Sequence, residues 1–74
     1  PWNEKERLDY MAQLDAIAAH LYGIDYEDLK YIFTTFPIEK REQESKYGTY
    51  LSRDLALKYF EEYRPRLFPG GTNR

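Results

Sequence analysis

No cysteine occurs anywhere along this chain, and at 74 residues that absence limits what it can fold into more than any other feature. Disulfide staples and thiolate metal sites are both ruled out. A domain this small must then pack its apolar surface well or lean on neighbouring domains. Thirteen aromatic side chains supply large groups for that purpose.

The pattern of apolar residues is helical throughout, with no strand-like run of β-branched residues and no internal repeat. A first helix is expected from about Glu4 to Tyr22, capped by Asn3 and stopped at Gly23. Its apolar stripe reads Tyr10, Leu14, Ile17 and Leu21, with Glu6, Asp9, Gln13 and Ala16 on the opposite side. Asp25 can cap a second helix, whose apolar face is Leu29, Ile32, Phe33 and Phe36 and which Pro37 should end. So short a link makes these two helices an expected αα-hairpin. Residues 38–47 are dense in charge and suit either an exposed helix or a mobile loop. After Gly48 a last helix should run from near Thr49 to about Tyr63, closed by Pro65 and Pro69.

The predicted fold is therefore all-α: a small three- or four-helix domain over residues 1–69, built on an N-terminal αα-hairpin, with a charged connector and a C-terminal helix. Residues 70–74 read as a frayed tail. Leu14, Ile17, Leu21, Leu29, Ile32, Phe33, Leu55 and Tyr59 should form the core. On that reading Leu21→Ala should cost about 2–5 kcal/mol.

Little in the chain points to chemistry. His20 is the single histidine and has no carboxylate at helical i, i+3 or i, i+4 spacing, so neither a metal site nor a general base is expected there. No nucleotide-binding glycine pattern, nucleophile elbow, zinc-helix motif or acidic calcium loop is present. We expect no catalytic residue, cofactor site or metal site in this chain. Asp15, on the margin of the predicted stripe, needs a donor, which Arg53, Arg41 or a tyrosine hydroxyl could provide; a structural ion pair with Arg53 is the candidate.

The net charge of −2 marks no obvious polyanion binder, but it is unevenly distributed. Residues 1–37 hold three Lys/Arg against seven Asp/Glu, whereas residues 38–74 hold eight against six. Any contact with DNA should fall in the second half. Tyr47-Gly48-Thr49-Tyr50 followed by Arg53 places hydroxyls and a cation around a helix start, where free N–H groups favour phosphate. Lys46, Tyr50, Arg53 and Lys58 are the candidate DNA-backbone contacts. No apolar run approaches the roughly 18 residues of a membrane span, and no signal peptide is evident. A cytoplasmic location is expected. The opening Pro1-Trp2, in place of methionine, suggests a piece of a longer protein.

Three strings then become informative together: Leu14-Asp15-Ala16, Ala19-His20-Leu21-Tyr22-Gly23-Ile24, and Asp28-Leu29-x-Tyr31-Ile32-Phe33-x-Thr35-Phe36-Pro37. A charged stretch follows, then Tyr47-Gly48-Thr49-Tyr50-Leu51-Ser52-Arg53-Asp54-Leu55. Across residues 7–63 this order resembles the C-terminal segment of large adenine-specific DNA methyltransferases of restriction-modification systems, including those fused to a nuclease. The resemblance implies a parent that binds S-adenosylmethionine and methylates adenine N6. Neither that family's glycine-containing cofactor motif nor its Asn/Asp-Pro-Pro-Tyr/Phe catalytic motif occurs here. What it implies for this chain is a non-catalytic helical module. Such a module would brace the target-recognition region against the parent's remaining domains, with Tyr50 and Arg53 at its polar helix start and double-stranded DNA as a further partner. The alternative is a helical protein–protein interaction or scaffold module with no nucleic-acid contact.

Overall fold

A computed structural model describes residues 3–67, with side chains as far as Arg64. Four helices follow one another: α1 (Glu4–Leu21), α2 (Tyr26–Phe33), α3 (Pro37–Tyr47) and α4 (Leu51–Leu67). No strand occurs among the described residues. The fold is all-α, and the charged connector of the sequence is itself a helix, α3. The predicted tail at 70–74 and Pro69 lie outside the described residues.

Local chemistry sets most of the helix ends. Asn3 accepts a hydrogen bond from the Glu6 N–H at 2.8 Å, and Asp25 accepts one from the Asp28 N–H at 2.9 Å. Each bond satisfies one of the donors that a helix start leaves without a partner. At the end of α1, Gly23 takes φ +74°, which a residue without a Cβ reaches at little cost. The Ile24 N–H then reaches back to the Ala19 carbonyl at 2.9 Å and the Gly23 N–H to that of His20 at 3.3 Å. This is the Schellman closure, and it seats Ile24 against the core.

Two boundaries depart from expectation. α2 stops at Phe33, short of the pre-proline residue, because the Thr34 and Thr35 hydroxyls bond back to the Tyr31 and Ile32 carbonyls at 2.6 and 2.7 Å. Pro37 opens α3 instead, at a position where its missing N–H has no helical partner to lose. Pro65 does not close α4, which runs on to Leu67; an internal proline removes one backbone donor without having to end a helix.

The largest correction concerns the buried face of α1. Ala12, Ala16 and Ala19 are its only fully buried residues, and they join Leu29, Phe33, Tyr50, Ala56, Leu57 and Phe60 in one core. Leu14 is 45% exposed and Leu21 70% exposed. On a helical wheel the predicted stripe lies roughly 160° from the alanines, almost diametrically opposite. The reason is the partner. α1 packs most extensively on α4, which also contacts α2 and α3, and α4 brings aromatic bulk to that interface. Small residues on α1 let the two backbones come close enough for that bulk to fill the space between them. Ile32 is likewise 38% exposed, while Ile17, Leu55 and Tyr59 are only partly buried. Leu29 and Phe33 are buried as the pattern predicts. Leu21→Ala is accordingly a surface change, and the expected 2–5 kcal/mol loss does not apply.

Candidate functional site

The start of α4 was the sequence's candidate for phosphate contact, and its polar groups are already engaged within the chain. Gln43 of α3, the single buried polar residue among those described, accepts the Ser52 N–H at 2.8 Å through Oε1. Its Nε2 donates to Ser52 Oγ at 2.8 Å and to Glu39 Oε2 at 3.3 Å. Thus a side chain nine residues upstream caps α4. Thr49 adds a hydroxyl bond to Asp54. Tyr50 is fully buried, with its ring edge-on to Phe33 and its hydroxyl donating to Glu39 Oε1 at 3.1 Å. Burial, and then that bond, push the phenol well above the usual tyrosine range. A core residue cannot offer its hydroxyl to DNA, so Tyr50 is withdrawn from the candidate contacts.

Neither the remaining candidates nor the proposed ion pair forms a cluster. Arg53 directs Nε and Nη2 to Asp54 Oδ1, each at 3.0 Å, with its guanidinium 5.6 Å from the centre of the Tyr50 ring. The Asp15–Arg53 pair does not form, since the guanidinium has a carboxylate on the adjacent residue. Lys46 pairs with Glu4 at 2.7 Å, across the gap from α3 to α1. Lys58 lies over the Tyr59 ring at 5.1 Å, roughly 140° around α4 from Arg53. Of the four, the structure brings together only Tyr50 and Arg53.

His20 is part of the seam between α1 and α4. Its ring stacks on Phe60, with centroids 4.1 Å apart and planes 7° from parallel, and Nε2 donates to the Phe60 carbonyl at 2.7 Å. Tyr59 donates to Asp9 at 2.6 Å and Tyr63 to Gln13 at 3.3 Å along the same seam. The Asp9 bond, with burial adding to it, raises the Tyr59 phenol to about 12. Every buried side-chain polar atom described has a partner.

On another side of α1 the packing is left open. A groove of about 540 Å³ runs between α1 and the α2–α3 corner. Met11, Ile32 and Phe36 supply apolar surface to it, and Met11 and Phe36 are 48% and 46% exposed. Asp15 and Glu39 face the same space. Asp15 accepts no hydrogen bond or ion pair among the described residues. Its carboxyl is held above the ordinary aspartate value, first by partial burial against the groove wall and then by the Glu39 charge. Tyr10, Leu14 and Leu21 extend the exposed apolar surface of α1 beyond the groove. Sequence reasoning identified these apolar residues and placed them inside. It missed Gln43 and Glu39 entirely. Their four-residue spacing on one helix face was the available signal.

Among the described residues no group of three or more histidines and carboxylates could hold a metal ion. No helix described is long and apolar enough to cross a membrane. Compared with protein-family models, with curated proteins and with solved structures, the chain matches none.

Proposed function

We propose that this chain is a non-catalytic helical docking module of a restriction-modification DNA adenine methyltransferase, bracing the target-recognition region against the rest of the enzyme. One observation carries the docking half of that reading. Large apolar side chains line the open groove and the outer face of α1, where a monomer of this size gains nothing from exposing them. The methyltransferase half rests on the ordered resemblance of residues 7–63 to the C-terminal segment of those enzymes.

Of the two contacts this reading implies, the one with the parent's other domains has the better support. The DNA-backbone contact is left with Lys46, Arg53 and Lys58, each already against a carboxylate or an aromatic ring. A second reading, a scaffold module that binds a separate protein without nucleic acid, is favoured by the same apolar face together with the net charge of −2.

The test is to incubate the complete polypeptide that carries this chain with S-adenosylmethionine and duplex DNA, and to measure methyl transfer to adenine N6. Transfer that is lost when residues 3–67 are deleted, while cofactor binding persists, is the expected result. A complete polypeptide that binds no S-adenosylmethionine and methylates no adenine would overturn the methyltransferase assignment.

A further inference from the structure

The groove beside α1 has a direction. Glu4, Arg7, Met11, Asp15, Ala18 and Tyr22 border it and succeed one another at steps of three and four residues. At 1.5 Å rise per residue that stripe extends roughly 27 Å. The opposite wall comes from Ile32 and Phe36 at the exit of α2 and from Glu39 and Glu42 on α3. A trench of this length, floored with separate apolar side chains, suits an elongated occupant that sets down several anchors in a row. An α-helix does so with its i, i+3, i+4 and i+7 side chains.

Charge narrows the occupant further. Four carboxylates line the groove against two cations, and Lys46 is already paired with Glu4. Glu39 holds Tyr50 and Gln43 in place, and Asp15, which has no ion pair of its own among the described residues, lies close enough to feel its charge. A second anion in this space would be repelled, which argues against a phosphate backbone. A cation there would relieve the repulsion and supply the donor that Asp15 lacks.

We infer that the groove takes an amphipathic helix from outside this chain, which lays aliphatic side chains on Met11, Ile32 and Phe36 and presents a lysine or arginine to Asp15 and Glu39. The inference rests on the docking reading above and deepens it by naming the chemistry of the partner.

A synthetic, fluorescein-labelled 18-residue helix with leucines at i, i+3, i+4 and i+7 and one lysine flanking them serves as the probe, alongside a twin carrying glutamate for that lysine. The full chain should bind the lysine peptide at least about tenfold more tightly than its twin, because a like charge in the groove is penalised. Amide shifts should concentrate at Met11, Ile32 and Phe36. Asp15→Lys should reverse the preference, and the milder Asp15→Asn should flatten it; a melting curve on each variant confirms that it is folded. Equal affinity for the two peptides would overturn the inference. So would shifts confined to the outer face at Leu14 and Leu21, or no binding of either helix. A concentration-dependent dimer that Asp15→Lys disrupts would assign the groove to a second copy and overturn it too. Peptide binding and methyl transfer are read separately, so a groove that binds the lysine helix in a protein that methylates nothing would leave this inference standing and remove only the parent enzyme.

Discussion

α1 presents two faces that follow opposite rules. Toward α4 it offers three alanines flanked by Asp9, Gln13 and His20, and each of those polar groups has a partner on α4 or on its neighbour. Toward the groove and solvent it offers Met11, Leu14, Leu21 and an aspartate with no donor. The small side chains therefore make the fold, while the large ones are left for something else. Burial follows the shape of the facing element as much as intrinsic hydrophobicity, and a long helix can hide its least oily stripe when its partner brings the bulk.

The sharpest way to break this comparison is to exchange sizes between the faces. Ala16 is fully buried, so Ala16→Leu should force α1 away from α4 and cost about 1–3 kcal/mol in chemical denaturation. Leu21→Ala removes more apolar surface from the same helix, yet should cost under about 0.5 kcal/mol. The reverse order of effects would restore the leucine stripe as the core.

That exchange also shows which parts of the structure were legible in the sequence. Asn3, Asp25 and Gly23 could be read correctly because a cap depends on bonds within a few residues. The helical class followed from spacing alone. The orientation of α1 did not, because Leu14 and Ala16 are both good helix formers, and the choice between their faces was made by α4, about forty residues away. Gln43 was hidden for a related reason. Its partner at Ser52 lies on another helix, and within the charged run only its four-residue spacing from Glu39 sets that glutamine apart. The groove inherits both problems, since Ile32 on its floor was assigned to the core, and Glu39 and Glu42 on its far wall to a charged connector.

A second test concerns the seam's hydrogen bonds and is read in alkali. The Tyr59 phenol titrates at 10.0 when free and at about 12 in the fold, held neutral first by its bond to Asp9. An acid whose folded pKa is raised contributes stability that is fully present below its unfolded pKa and is lost as pH climbs to the folded value. Melting midpoints should thus begin to fall near pH 10 and continue falling to about pH 12. In Tyr59→Phe the fall should be shallower, although Tyr50, also raised, keeps some of it. An unchanged slope in that variant would mean that the Tyr59–Asp9 bond does not hold in solution.

The smallest expected effect separates the faces by sign. Asp15 is exposed on one side and its carboxyl is raised above 3.8, first by partial burial and then by Glu39. A raised carboxyl is the reverse of the stabilising carboxylate: the charge it carries at neutral pH opposes folding, and the opposition ends as pH falls and the group protonates. Asp15→Asn should therefore raise the melting midpoint slightly at pH 7. Water screens so open a site, so the gain should stay within about 0.5 kcal/mol. Below pH 3.8 the variant and the wild type should converge, since both side chains are then neutral in the folded and unfolded states. Every polar substitution along the α4 seam should destabilise; this one, in the groove, should do the opposite. An unpaired carboxylate over an apolar floor, with no stabilising role in the isolated fold, matches the cationic helix proposed for that groove. If Asp15→Asn lowers the midpoint instead, Asp15 has a donor within the chain and the groove loses its claim to an outside cation.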